Sequence, residues 1–248
     1  MKRLRSKKRR RKRKKKKLLK TKDKYQRYSE EAAKLLPAPI SGIQVQKKNS
    51  SRYSLFINDK FLIGVSDATL TKLNLKKGVE ITPSLLQQIA NKEDEWAARE
   101  YMFRILSRRD HSRKELKDKA YKKGYSGGFI EEILDEFEQK EYINDEKFAK
   151  KYVADKFEFN DWGPYKIRTQ LFKKGIRKNV VEEVIKHAFG DEAIKESMTS
   201  LISKRKKRYL REPEEKRRKK VFDYLMRKGY DSGNILKHLD ELLDIISS

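Results

Sequence analysis

Gly163-Pro164-Tyr165-Lys166-Ile167-Arg168-Thr169-Gln170-Leu171-Phe172-Lys173-Lys174-Gly175-Ile176 is the stretch whose reading decides the fold. Pro164 suits a first helical position, where its missing N–H has no partner to lose. Gly175 suits the left-handed residue that closes a helix. Ile167 and Leu171, four apart, share one helical face. The pattern recurs: Lys122-Lys123-Gly124 and Arg227-Lys228-Gly229 put aligned glycines 51 residues before and 54 after Gly175. Eight residues before each glycine stand Leu116, Ile167 and Val221; four before, Ala120, Leu171 and Leu225. Six after stand Ile130, Val181 and Ile235; ten after, Leu134, Ile185 and Leu239. Two helices joined at a glycine are thus predicted three times over. Tyr125, Ile176 and Tyr230 supply the apolar closure after each glycine. Ser112-x-x-Glu115 reads as a capping box and Pro213 opens the third copy.

Each pair is preceded by a further helical run, Trp96–Ser107, Asp145–Phe157 and Glu192–Tyr209. A three-helix unit of this size cannot bury its apolar face without neighbours. The predicted fold is therefore mainly α: tandem three-helix, helix-turn-helix-like repeats in an elongated array. Upstream, Thr82-Pro83 opens a run without Gly or Pro, Ser84–Ser107, that bridges to a different region. There Ile43 and Val45, then Tyr53, Leu55 and Ile57, alternate with polar residues, and Asn49-Ser50-Ser51 and Asn58-Asp59 sit at turn positions. This predicts a three-stranded antiparallel β-meander, packed on a helix over Ala68–Leu75 that ends before Gly78. Tyr25–Leu36, stopped by Pro37 and Pro39, reads as a linker helix. The expected divisions are 1–20, a disordered Lys/Arg-rich tail; 21–38, the linker helix; 39–82, a small α+β unit; 83–145, the bridging helix and repeat 1; 146–190, repeat 2; and 191–248, repeat 3.

Composition bounds the function. The 248 residues hold 64 Lys+Arg against 37 Asp+Glu and no cysteine. Residues 2–17 alone carry 14 Lys/Arg and no acid, so a basic tail is fused to a moderately basic body. Such a tail has nothing to bury and is expected to be disordered until it meets a polyanion. Without cysteine there is no disulfide framework and no thiolate metal site. Leu35–Gln46, the longest stretch free of charge, is far short of the ~18 apolar residues of a membrane span. Leu4 is the only apolar residue between Met1 and Leu18, which does not suit a signal peptide. A cytoplasmic, monomeric protein without membrane contact is expected.

The residues that carry chemistry point to binding rather than turnover. There is no phosphate-binding glycine loop and no His-Glu-x-x-His pair. His111, His187 and His238 are isolated, and adjacent acids such as Asp135-Glu136 and Glu182-Glu183 do not face one another on a helix. No catalytic residue, metal or cofactor is expected; a metal-dependent nuclease stays open only because acids are plentiful. Charge is patterned instead. Residues 101–123 hold nine bases and three acids, residues 124–145 one base and seven acids, and Pro164–Lys178 six bases and no acid. The third copy adds Lys204–Arg208 and Lys216–Lys220. The candidate partner- or DNA-binding residues are Arg113, Lys117, Lys166, Arg168, Lys173, Lys174, Arg177, Lys178, Lys206 and Arg208, where a basic stripe could follow a phosphate backbone or an acidic protein groove. Arg9, Arg10, Arg11, Arg13 and Lys15 are candidates for nonspecific nucleic-acid binding by the tail, which equally suits a nuclear import signal. The basic pairs before the aligned glycines, Lys122 and Lys123, Lys173 and Lys174, and Arg227 and Lys228, would equally serve to stabilise negative helix ends by about 0.3–1 kcal/mol each. Tyr101, Phe103, Tyr152, Phe157, Phe159 and Trp162 could stack on bases, although most fit helix-face packing.

Ser112-x-x-Glu115-Leu116 with Lys122-Lys123-Gly124-Tyr125, then Tyr142-Ile143-Asn144-Asp145-Glu146-Lys147-Phe148-Ala149, then Gly163-Pro164-Tyr165-Lys166-Ile167 with Leu171 and Lys174-Gly175-Ile176, closely resemble the RecX regulatory proteins. The third copy, Lys220-Val221-x-x-Tyr224-Leu225-x-Arg227-Lys228-Gly229-Tyr230, matches more loosely, and the resemblance spans about residues 96–243. The β region at 40–80 is similar to the N-terminal extension of longer members. The resemblance implies a non-enzymatic modulator that lies in the groove of the RecA–single-stranded DNA filament and usually inhibits its ATPase and strand exchange in recombination and repair. Its implied partners are the RecA filament and single-stranded DNA, met directly or through the filament. Two departures stand out: the tail at 1–17 has no counterpart in the family pattern, and Asn144 replaces a commoner acid at a helix cap. The alternative reading is a general nucleic-acid-binding protein dominated by its basic tail and helices.

Overall fold

The structure is a computed structural model that describes residues 28–47, 49–125 and 128–247. The expectations for the tail, including its five candidate residues, and for residues 21–27 lie outside the described residues. Two compact units are formed: the described residues up to Arg104 together with Ala120–Ile130, and Ile105–Lys119 together with Glu131 onward.

In the first unit, β2 (Gly42–Gln46), β3 (Asn49–Ile57) and β4 (Lys60–Ser66) form the expected antiparallel meander, in that order. The register pairs Ile43 with Leu55 and Leu55 with Ile63. Asn58 and Asp59 both adopt positive φ, 46° and 59°, the combination a tight two-residue hairpin requires. Asn49-Ser50-Ser51 does not turn; it opens β3. Leu55, Ile57, Leu62, Ile63 and Val65 are buried, whereas Val45 is 56% exposed, so the first strand's alternation does not carry both its apolar residues inward.

Helix α2 (Asp67–Lys72) is capped by Ser66, whose Oγ accepts from the Thr69 N–H. Helix α1 (Glu30–Ala33) covers only four residues of the linker expected over Tyr25–Leu36. It is no free linker: Ala32 is fully buried in the β-unit core and Tyr28 bridges to Ile63. A second, two-stranded sheet pairs β1 (Ala38–Pro39) with β5 (Glu80–Ile81); strands of two residues are too short for any periodicity to show. Leu86, Ile89 and Ala90 of α3 (Pro83–Leu106) complete this core.

The remaining helices are α4 (Arg113–Lys123), α5 (Phe129–Gln139), α6 (Asp145–Glu158), α7 (Pro164–Lys173), α8 (Lys178–Ala188), α9 (Asp191–Ser203), α10 (Lys206–Leu210), α11 (Glu214–Lys228) and α12 (Ser232–Ser247). Every aligned apolar position named above is buried. The three glycines take φ of +105°, +83° and +98°. At each, the next residue's N–H reaches back to the carbonyl four before the glycine: Tyr125 to Ala120, Ile176 to Leu171 and Tyr230 to Leu225. The glycine N–H donates to Tyr121, Phe172 and Met226 respectively, so one Schellman closure is repeated three times.

Two details depart from the repeat. The third leading helix is broken at Lys204-Arg205 into α9 and α10. The capping box is half formed: Ser112 Oγ accepts from the Glu115 N–H, but the Glu115 carboxylate is drawn to Lys174 and Arg109 instead. The second and third repeats share one core, running from Phe148 to Ile246.

Candidate functional site

Two of the glycine turns also join one repeat to the next. The end of α7 lies over the start of α4: Ser112 Oγ donates to the Lys174 carbonyl (2.7 Å) and Lys114 Nζ to the Lys173 carbonyl (3.0 Å). The end of α11 does the same to α7: the Gly163 N–H donates to the Lys228 carbonyl (2.9 Å) and the Tyr165 N–H to the Gly229 carbonyl (3.0 Å). The carbonyl-rich, negative end of one helix thereby meets the N–H-rich, positive end of its counterpart. There is no space for side chains. A Cβ on Gly163 would lie 2.5 Å from the Gly229 carbonyl carbon, and one on Gly175 would lie 2.7 Å from the Lys114 Cβ. In the sequence these glycines are visible only as helix punctuation.

This docking sorts the ten candidate bases. Arg113 meets three carboxylates of α5, Glu131 (2.9 Å), Asp135 (2.7 Å) and Glu138 (2.8 Å). Burial works against its charge, but these acids raise the guanidinium above its ordinary value. Lys117 pairs with Glu131, and Arg168 grips Glu182 through two hydrogen bonds of 3.1 and 3.0 Å. Lys174 pairs with Glu115 and lies over the rings of Phe148 and Tyr152. Lys166 stands 4.3 Å from the centre of the Trp162 ring. By contrast, among the described residues Lys173, Arg177, Lys178, Lys206 and Arg208 form no ion pair, and all but Lys206 are exposed. Four of the ten are therefore paired with carboxylates of the protein itself, Lys166 lies over a ring, and the five unpaired ones lie around the α7–α8 turn and on α10.

Two clefts accompany them. One, of about 360 Å³, lies between Arg109, Lys151, Tyr152 and Lys174, with Lys151 tied to Asp110 at 2.9 Å. The other, of about 180 Å³, is lined by Arg205, Arg208, Tyr209, Tyr224 and Arg227. Arg205, at the break between α9 and α10, lies there over the Tyr224 ring at 4.1 Å.

The aromatic candidates are mostly engaged. Tyr152 stacks on Phe148, Phe157 meets Phe189 edge-on at 4.8 Å and Tyr101 tilts against Tyr125. Phe159 is 78% exposed and Trp162 lies between Lys156 and Lys166. Exposed Tyr165 and Phe172 are absent from the aromatic candidates read from the sequence, although the helical period that puts Ile167 and Leu171 on one face already puts both rings on the other. His111 is buried with Nδ1 2.8 Å from the Arg109 carbonyl; burial pushes it below its ordinary value. Asn144 caps α6, its Oδ1 accepting from Glu146 and Lys147 N–H groups. Among the described residues no three His, Asp or Glu side chains gather as a metal site would require.

The RecX N-terminal domain model matches residues 38–82, and the models of its first, second and third three-helix domains match 98–137, 144–185 and 194–239, in that order. The chain belongs to the RecX family of regulatory proteins. RecX proteins are regulators rather than enzymes. The regulatory protein RecX of Clostridioides difficile is 31% identical over 83% of this chain and 96% of its own length. That of Listeria monocytogenes serotype 4a is 31% identical over 78% of this chain and 71% of its own. A crystal structure of regulatory protein RecX superposes with a TM-score of 0.68 at 27% identity, covering 82% of this chain and 99% of that one. RecX from Lactobacillus salivarius gives 0.56 at 27% identity, over 61% and 97%. Among the described residues of this RecX chain, no helix is long and apolar enough to cross a membrane.

Proposed function

We propose that this RecX protein binds the RecA–single-stranded DNA filament and lowers its ATP hydrolysis and strand exchange, acting in the cytoplasm during recombination and repair. The ordered match of four RecX domains along one chain carries the reading. The unpaired cations support it: Lys173, Arg177 and Lys178 in the second repeat and Lys206 and Arg208 in the third lie on a body with one shared core, so contacts made by both repeats add without ordering a linker. The test is ATP hydrolysis by preformed RecA filaments as this protein is added, at a salt concentration that suppresses simple polyelectrolyte binding. A falling rate and strand-exchange yield are expected.

The second reading, general nucleic-acid binding, is favoured by the net charge of +27. It takes over if the filament's rate is unchanged while a peptide of residues 1–17 reproduces the whole DNA affinity.

A further inference from the structure

The face of α7 opposite the core is built from aromatic residues in a field of positive charge. At 100° per residue, Ile167 and Leu171 point one way, both fully buried, and Tyr165, Thr169 and Phe172 point the other. Tyr165 is 62% exposed and Phe172 42%. The helix cannot roll to hide them, because its start is pinned under the Gly229 turn and its end over α4. Two large rings held in water on one face of a rigid helix, with Thr169 between them on that face, call for a partner.

Charge identifies its chemistry. Pro164–Lys178 holds no acid. Arg168 is neutralised by Glu182 and Lys174 by Glu115, yet Lys173 beside Phe172, and Arg177 and Lys178 on the turn that follows, are exposed without ion pairs among the described residues. An apolar protein groove would leave those cations unmatched. A single nucleic-acid strand matches both features, since its bases offer ring faces and its phosphates negative charge. We infer that Tyr165 and Phe172 are a stacking platform for the bases of a single strand, with Lys173, Arg177 and Lys178 on its phosphates. Seven residues of helix separate the rings by ~10 Å along the axis. Three base steps at ~3.4 Å cover that distance, giving a footprint of about four nucleotides. The inference deepens the proposed function by naming the contacts to the strand, and it is tested without recombinase, so the two stand or fall separately.

The experiment measures binding of the full-length protein to an oligothymidylate across a salt series. Three proteins are compared: the parent, Tyr165→Leu/Phe172→Leu, and Tyr165→Phe/Phe172→Tyr. Leucine keeps helix propensity and apolar area but has no ring face. The leucine pair is expected to bind about 10- to 100-fold more weakly with an unchanged salt slope, and the ring-for-ring pair to bind like the parent. In a Tyr165→Trp protein the added fluorescence should be quenched by the oligonucleotide and not by a duplex. The inference is overturned if the leucine pair binds the oligonucleotide like the parent, including the case where it loses only recombinase binding, which would make this face a protein-docking surface.

Discussion

Gly229 lies against Lys166 so closely that a Cβ built on the glycine would stand 2.3 Å from the lysine Cβ. Its φ of +98° adds a second demand that only glycine meets readily. Gly78 isolates the second demand, with φ +89° and nothing within 4 Å of a built Cβ. Gly78→Ala should cost about 1–2 kcal/mol, the left-handed strain alone. Gly229→Ala should cost about 2–5 kcal/mol, because overpacking is added. Urea unfolding midpoints of the two variants check this; equal shifts would mean the junction yields freely.

Glu115 reports on the other junction. Burial tends to raise its carboxyl, but the hydrogen bond and charge of Lys174, with Arg109 beside it, hold it below its ordinary value. A group whose folded pKa is depressed contributes stability above its unfolded pKa and loses it as pH falls through the folded value. The stability difference between the parent and Glu115→Gln should therefore be about 1 kcal/mol at pH 7 and shrink as pH falls below about 4.5. A difference that does not change between pH 7 and pH 3 would place the contribution elsewhere.

In the first unit, Glu93 is fully buried and accepts from the Ser66 N–H (2.8 Å), Ser66 Oγ (2.9 Å) and Arg52 Nη2 (2.9 Å). Arg52 also covers the Trp96 ring at 4.6 Å. Removing Arg52 takes the guanidinium away from a buried carboxyl group and from the Trp96 ring, so Arg52→Ala should cost about 3 kcal/mol. Trp96 fluorescence should change in the folded state, and thermal unfolding should move earlier. An unshifted unfolding curve would show that the two serine donors suffice.

Deleting residues 1–17 should flatten the salt dependence of nucleic-acid binding by ~0.7 in log–log slope for each phosphate released on a single strand. The melting temperature should stay within a degree or two, since fourteen like charges with almost nothing apolar among them are not expected to add to a core. Salt titrations and calorimetry on the shortened protein measure both.

Reversing Lys173, Arg177 and Lys178 to Glu should abolish filament binding while helicity by circular dichroism is kept. Including Arg168 would confuse the result, because a glutamate there faces Glu182 in place of an ion pair. Filament binding retained by the triple variant would move the contact to Lys206 and Arg208 on α10.

The sequence by itself determined the three repeats. Their helices are local, and the spacing of Leu116, Ile167 and Val221 from an aligned glycine expresses a helical period and a left-handed stop that need no knowledge of distant residues. The meander was legible for the same reason, from Leu55, Ile57 and the Asn58-Asp59 turn. Tertiary structure decided the rest. Whether Lys174 caps its own helix, meets DNA or pairs with Glu115 depends on residues 59 positions apart, and no local pattern encodes that distance. The same holds for Arg113, whose three acids lie on another helix, and for Tyr165 and Phe172, whose exposure follows from what covers the opposite side of α7. Charge says how much a surface can attract, but only the folded chain decides which charges have already been answered from within.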